Sequence, residues 1–366
     1  RFWILGGFAL EPQVEFVFNP LKFVSLPERL ATTLKISVGY LRNTVFPFYL
    51  SPDYSFNQIP LVNKIWSSVQ AILGLLIIIL ASLFLVFNVY RKKFECAVLS
   101  VSFFLFPYLI VSNFVLLTGT IMADRLMYWP SFGVVFAVAL WFNLLLRLGA
   151  PVKIFYFLAG GVIFIYSILT INQNKFWTDE EKLFDAMFQR SPNSIVARTN
   201  WARILTNRGQ AEEAQALLLE TLKIFPDFAP TLNMLAQIYK HEGSFKISEH
   251  FFEKSILMRP LSEEALVGLS RVYFLEKKYR QASHILNILI PKYGGAGNIF
   301  LKTVVQIKTS DYSGAQNTLY KYFGANHNDD SVGMLLNYIA IKTGNFHNSD
   351  TVEIERQFAN FEGSFI

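Results

Sequence analysis

The residues best suited to chemistry in this 366-residue chain gather in two short motifs. MADRLMYWPSFG at 122–133 puts Asp124 and Arg125 immediately before an apolar run, with Tyr128 and Trp129 behind them. A guanidinium fork matches phosphate oxygens, so Arg125 could pair with a lipid-linked phosphate entering from a bilayer. The plainer alternative is a charged loop followed by an interfacial aromatic belt. LSPDYSFNQIP at 50–60 carries Asp53 and Tyr54, which suit either a loop cap or part of a donor or acceptor pocket. Upstream, Lys35 and Arg42 are seven residues apart and so share one helix face.

Other chemistries find no matching pattern. There is no Gly-rich phosphate loop, no HExxH and no GxSxG. The five histidines (His241, His250, His284, His327 and His347) all fall in the C-terminal half, where solvated or core roles are the default. A single cysteine, Cys96, excludes a disulfide framework within this sequence and a Cys-based zinc site, and its apolar surroundings predict a buried, inert thiol. The basic residues form no stripe interleaved with aromatics, which argues against nucleic acid.

The elements that must position these motifs follow from a division of composition. Residues 1–174 carry 12 basic and 6 acidic side chains, whereas residues 175–366 carry 21 of each. The first half is apolar and basic; the second has the balance of an ordinary soluble domain. A helix needs about 20 apolar residues to cross roughly 30 Å of hydrocarbon. Four stretches without Asp, Glu, Lys or Arg qualify, at about 68–89, 96–117, 126–146 and 154–171. Arg91, Lys92, Lys93, Arg147 and Lys153 lie in one set of connections, against Lys64, Arg125 and Lys175 in the other. By the positive-inside rule the Arg125 loop, the segment before residue 68 and the whole C-terminal half then face away from the cytoplasm. A further crossing over 30–50 would bury Lys35 and Arg42, at about 2.5–3.5 kcal/mol each. An interfacial amphipathic helix is preferred there, followed by a loop punctuated by Pro47, Pro52, Asp53 and Pro60.

The second half is periodic. Pro192, Pro226 and Pro260 are spaced 34 apart, as are Gly209 and Gly243. Thirty-four residues is the tetratricopeptide period, a helix-turn-helix unit with small residues where its helices touch. Ala214, Ser248, Ala282 and Ala315 occupy that close-packing position, while Trp201, Leu235 and Leu269, then Leu205, Tyr239 and Tyr273, fill the large positions of the first helices. Repeats are predicted at about 195–227, 228–261, 262–295 and 296–329, with a cap over 330–366. Upstream, 176–194 reads as the second helix of a repeat, so the last span hands the chain almost directly to the array. Thr199, Arg203, Asn233, Gln237 and Arg271 fall where the concave face should be, a surface suited to an extended peptide.

The membrane motifs carry a family resemblance. NPL at 19–21, ERL at 28–30, YLR at 40–42, FP at 46–47, LSPDYSFNQIP and ADRLMYWPSFG resemble the transmembrane-and-tetratricopeptide-repeat proteins, whose vertebrate members are protein O-mannosyltransferases of the C-type glycosyltransferase class. The resemblance implies transfer of a mannose-like sugar from a polyprenyl- or dolichyl-phosphate donor to a protein hydroxyl, on the periplasmic or luminal side. It implies a donor and pocket set of Arg125, Asp124 and Tyr128, with Arg29, Arg42, Asp53 and Tyr54 as weaker members. It names no metal ligand. The family's catalytic acid lies in an early outer loop that nothing here matches, and the chain, which opens on Arg1, reads as the C-terminal part of a longer protein.

The expected architecture is therefore all-α: an outer loop with an interfacial helix (1–66), four membrane helices (67–174) and a tetratricopeptide α-solenoid (175–366). It would reside in a bacterial inner membrane or the endoplasmic reticulum, with lipid-linked sugar and acceptor proteins as partners. The competing readings are an oligosaccharide ligase or polymerase, and a non-enzymatic membrane-anchored repeat scaffold.

Overall fold

The computed structural model describes residues 16–91, 96–149, 151–324, 329–345 and 351–365. The described residues are helices, turns and loops, without strands, and the chain divides into two compact units, Arg1–Arg208 and Gly209–Ile366.

In the first unit, α1 (Leu26–Val45) begins at a capping box, with Ser25 N and Oγ both bonded to Glu28 Oε2 at 3.0 and 2.9 Å. It ends where Phe46 and Pro47 follow. Its inward stripe mixes Ala31, Leu34, Ile36 and Tyr40 with the buried polar residues Thr32, Thr33, Ser37 and Asn43. Each of three cross-element bonds on that stripe fixes a neighbour. Thr32 Oγ1 accepts from Val62 N at 2.9 Å, Tyr108 donates to Ser37 Oγ at 2.6 Å, and Tyr40 Oη accepts from Ala123 N at 2.9 Å.

Four apolar helices follow, the first of them packed against α1: α2 (Val69–Tyr90), α3 (Cys96–Val111), α4 (Tyr128–Arg147) and α5 (Val152–Asn174). Among the described residues, three segments are long and apolar enough to cross a membrane: Val69–Phe87, Asp124–Arg147 and Val152–Trp177. Their Leu, Ile, Val and Phe side chains are largely exposed, a surface that a hydrocarbon solvent tolerates and water penalises. The stretch expected as a span over 96–117 differs. Its helix stops at Val111, because Asn113 takes a left-handed conformation (φ 65°) and its amide gathers the chain that follows. Asn113 Nδ2 donates to the carbonyls of Thr120 and Ile121, both at 3.2 Å, while its Oδ1 accepts from Thr118 N at 2.7 Å and from Asn19 Nδ2 at 3.0 Å. The Cys96 side chain lies outside the described residues, as do His327 and His347.

Two glycines permit the closest helix crossings. A Cβ on Gly74 of α2 would stand 2.1 Å from the Leu34 carbonyl oxygen of α1; one on Gly133 of α4 would stand 2.4 Å from Phe104 N of α3. Ser100 Oγ seals the second crossing with a 2.7 Å bond to the Gly133 carbonyl. The glycine that ends the ADRLMYWPSFG motif is thus a packing residue.

After α5, a 3-10 turn at Lys175–Trp177 leads into α6 (Glu180–Arg190), which packs against α7 (Ile195–Asn207). These helices close the first unit. The second unit contains α8 (Ala211–Ile224), α9 (Ala229–His241), α10 (Phe245–Met258), α11 (Glu263–Leu275), α12 (Tyr279–Tyr293), α13 (Ala296–Lys308), α14 (Tyr312–Phe323), α15 (Asp330–Lys342) and α16 (Thr351–Gly363). Consecutive helices pack together through the array. Ala214, Ser248, Ala282 and Ala315 are all fully buried, as their shared frame position requires. The turn frame extends past its glycines: left-handed backbone occurs at Gly209, Gly243, Lys277, Ser310 and Gly344, so two side-chain-bearing residues hold a conformation that favours glycine.

Two tests follow from this packing. Gly133→Val should prevent α3 and α4 from closing, at a cost of about 1–3 kcal/mol or more, read as lost monodispersity and a lowered melting temperature in detergent. Lys277→Gly should instead relieve about 1 kcal/mol of left-handed strain, slowing amide exchange across α11 and α12 by about fivefold.

Candidate functional site

The motif that opens α4 reaches the protein interior through one side chain. Ala123 precedes a 3-10 turn at Asp124–Met127, and the turn aims the Asp124 carboxylate back toward α1 and the outer loop. Oδ2 accepts the Tyr54 hydroxyl proton at 2.8 Å, and Oδ1 accepts from Asn43 Nδ2 at 3.0 Å. Asn43 Nδ2 also lies 3.1 Å from the Tyr54 hydroxyl, and Ser51 N donates to that hydroxyl at 3.0 Å. Each vertex of this triangle comes from a different element: α1, the outer loop and the entrance to α4. Burial first, and then the Asp124 charge, push the Tyr54 phenol above its ordinary ionisation range.

Beside the triangle lies an open cleft with about 170 Å³ of space for water. Lys35, Gly39 and Arg42 line it from α1, Tyr54, Gln58 and Pro60 from the outer loop, and Gln70 from α2. Lys35 Nζ donates to the Pro60 carbonyl at 3.0 Å, and the Arg42 guanidinium donates to Asn43 Oδ1 from Nε and Nη2 at 3.2 and 3.1 Å. Two cations one helical heptad apart therefore face the same opening, and Asn43 ties one of them to Asp124.

The other expected donor-site residues stand apart from the cleft. Arg125 is exposed beside Asp124, and Tyr128 is 67% exposed, stacked edge-on with Trp129 and Phe132 at 6.0 and 5.8 Å. Arg29 lies in the first turn of α1, its Nε buried without a hydrogen-bond partner among the described residues. The Asp53 carboxylate turns the opposite way from Tyr54: its Oδ2 accepts from Ser55 N at 3.0 Å and from the hydroxyls of Ser55 and Ser194, both at 2.6 Å.

Of the residues expected on the concave repeat surface, Thr199 is buried and its hydroxyl bonds the Ile195 carbonyl of its own helix at 2.9 Å. Arg203 pairs with Glu180 at 2.6 Å and covers the Phe184 ring. In the second unit, Asn233 is 9% exposed: its Nδ2 reaches Glu264 Oε2 at 3.3 Å, while its Oδ1 has no partner among the described residues. Gln237 and Arg271 are half-buried. Burial, and then the Arg271 charge, hold the Lys240 ammonium below its ordinary range.

Asn43, Lys35, Gln58 and Gln70 are contributors that motif reading did not single out as site residues. Asn43 immediately follows the YLR triplet, and Lys35 is marked only by sharing a helix face with Arg42. The two glutamines give no spacing signal at all.

Tyr54→Phe removes the phenol that joins the loop to Asp124, and should cost about 1–3 kcal/mol through the unpaired carboxylate oxygen, read as a lower melting temperature in detergent. The folded pKa of Tyr54 is raised above the unfolded value of about 10, so its stabilising effect is complete below that pH and is lost as pH rises further. The variant should accordingly lose less stability than the parent on titration to alkaline pH.

No protein-family model matches the chain. Among characterised proteins, human protein O-mannosyl-transferase TMTC1 is 26% identical over 251 residues, covering 66% of this chain and 27% of that protein. The mouse TMTC1 protein is 28% identical over 260 residues, 68% of this chain and 26% of its own length, and mouse TMTC4 is 23% identical over 210 residues, 56% and 28%. The chain thus spans about a quarter of the length of these relatives. Solved structures with similar helical arrays include YrrB, a tetratricopeptide-repeat protein with an unusual peptide-binding site (TM-score 0.41, 13% identity, 47% of this chain and 88% of that one). A tetratricopeptide-repeat protein from Parabacteroides merdae gives a TM-score of 0.40 at 14% identity, over 52% of this chain and 75% of that one. In sequence the chain resembles the TMTC protein O-mannosyl-transferases, and in architecture it joins helices of membrane-crossing length to a tetratricopeptide α-solenoid.

Proposed function

We propose that the chain is the C-terminal part of a membrane glycosyltransferase that moves a mannose-like sugar from a polyprenyl- or dolichyl-phosphate to a protein hydroxyl. The observation that carries this reading is the Asn43–Tyr54–Asp124 triangle beside a cleft walled by Lys35 and Arg42, in a chain similar to protein O-mannosyl-transferases. Arg42 and Lys35 offer positive charge to the departing lipid phosphate, and such charge lowers the barrier because negative charge builds on that group as the sugar leaves. Asp124 keeps Asn43 oriented, and Asn43 in turn steadies Arg42. Arg125 and Tyr128, exposed where α4 begins, meet the lipid phosphate at the membrane surface, with Arg29 farther along that surface. Asp53 anchors the loop that carries Tyr54. No residue here is assigned the role of the base that deprotonates the acceptor hydroxyl.

The remaining roles divide by region. Residues 1–66 form the outer surface, 67–174 the membrane domain and 175–366 the recruiting domain, facing the periplasm or the lumen. Gln237 and Arg271, both half-buried, offer an acceptor segment hydrogen-bonding groups, with Asn233 buried beside them. Thr199 and Arg203 are engaged within the first unit and take no part in that surface.

The test is transfer of radiolabelled mannose from dolichyl-phosphate mannose to membrane proteins by the full-length natural protein. Arg42→Ala should raise the donor KM about tenfold. Arg125→Ala should abolish transfer while the protein still elutes as a folded species. Normal transfer by both variants would sink the pocket assignment, and no incorporation by the parent would sink the reading itself.

A further inference from the structure

The outer loop is bolted to the first helix of the repeat frame by a set of side-chain and backbone hydrogen bonds. Ser194 caps α7 by accepting from Ala197 N at 3.0 Å, and the same hydroxyl lies 2.6 Å from Asp53 Oδ2 and 2.7 Å from Ser55 Oγ. Three residues earlier, Ser191 Oγ lies 2.8 Å from both Ser51 Oγ and the Asp53 carbonyl. The backbones pair as well: Ile195 N donates to the Phe56 carbonyl at 2.7 Å and Asn57 N to the Asn193 carbonyl at 3.1 Å. Arg190 closes the near end, donating from Nη1 to the Leu50 carbonyl and to Gln173 Oε1. Ser51, Ser55, Ser191 and Ser194 are all buried, so these hydroxyls have exchanged water for one another.

The consequence lies one residue away. Ser51, held by Ser191 through its side chain, donates its backbone N–H to the Tyr54 hydroxyl, and that hydroxyl donates to Asp124. Tyr54 and Gln58 both lie within the segment so clamped, and both line the cleft with Lys35 and Arg42. Without Ser191 and Ser194, residues 50–58 keep their backbone pairing and the Ser55 bonds to Asp53, but lose the side-chain bonds that hold Ser51 and Asp53 to the turn before α7. The geometry points to Ser191 and Ser194 as positioning residues for the cleft: the threshold of the repeat array holds the Tyr54 loop against Asp124 and so completes the wall of the phosphate site. This assignment rests on the sugar-transfer reading for its kinetic consequence, whereas its structural part stands on the bonds themselves.

The experiment uses the full-length natural protein in nanodiscs, with Ser191→Ala, Ser194→Ala and Ser194→Thr. Ser194→Ala removes a helix cap as well as the Asp53 bond, so Ser191→Ala, which leaves the cap intact, is the deciding variant. In Ser191→Ala, amide exchange over residues 50–58 should rise about tenfold while α7 keeps its protection. With dolichyl-phosphate mannose as donor, its KM should rise about fivefold with kcat within about twofold of the parent. Ser194→Thr, which retains a hydroxyl, should restore the values that Ser194→Ala loses. Unchanged exchange over 50–58, or an unchanged donor KM in a protein that does transfer mannose, would overturn the assignment. If the parent transfers no mannose, the sugar-transfer reading fails on that result alone. Binding of dolichyl monophosphate then takes the place of KM: weaker binding in Ser191→Ala supports the positioning role, and equal binding overturns it.

Discussion

A carboxylate that opens a membrane-length helix must find its partners within the protein, because an uncompensated charge beside hydrocarbon is costly. Asp124 stands in that position, and much of the first unit is arranged around the groups that satisfy it. Asn43 and Tyr54 supply the donors, α1 carries the asparagine, and the outer loop carries the phenol. Removing either partner leaves a half-buried carboxylate oxygen without its donor, so the register of α1 against the entrance to α4 is fixed by hydrogen bonding as well as by packing.

The same logic runs along α1. A helix packed against an apolar span would ordinarily bury aliphatic side chains there, yet this one buries Thr32, Ser37, Tyr40 and Asn43 on its inner stripe. Each meets a partner on a segment distant in sequence: Val62, Tyr108, Ala123 and Asp124. Hydroxyl and amide pairs specify one geometry where interchangeable methyl groups would allow several sliding registers. The close crossings at Gly74 and Gly133 then bring the backbones near enough for dispersion to add its share.

What could be read from the sequence follows from the range of the interactions involved. The repeat half was legible because its period is local: the buried small residues Ala214, Ser248, Ala282 and Ala315 sit where a 34-residue frame puts them. The left-handed turn at Lys277 was not, since the glycine that marks the same turn at Gly209 and Gly243 is missing there. The second apolar stretch looked like a crossing over 96–117 because hydropathy cannot register that Asn113 folds the chain back through bonds to Asn19, Thr118, Thr120 and Ile121. The ADR and DYS motifs pointed to Asp124 and Tyr54 as residue types, yet their meeting depends on Asn43, which has no periodic neighbour to draw attention to it.

Periodicity also says little about which body a repeat element serves. By spacing alone α7 opens the array, since Pro192 begins the 34-residue series and Trp201 and Leu205 fill the same frame positions as Leu235 and Tyr239. By contacts it closes the first unit, which extends to Arg208. The difference is chemical. The turn before α7 carries Ser191 and Ser194 where they meet the carboxylate of Asp53 and the hydroxyls of Ser51 and Ser55, whereas the equivalent turns before α9 and α11 carry Phe225 and Phe228, and Arg259 and Ser262. A repeat unit keeps its helical period under the demands of its own core, while a few side chains at its entrance decide what else it holds. In this chain those side chains are serines, short enough to let two backbones pair and polar enough to fix a loop that would otherwise be set by packing alone.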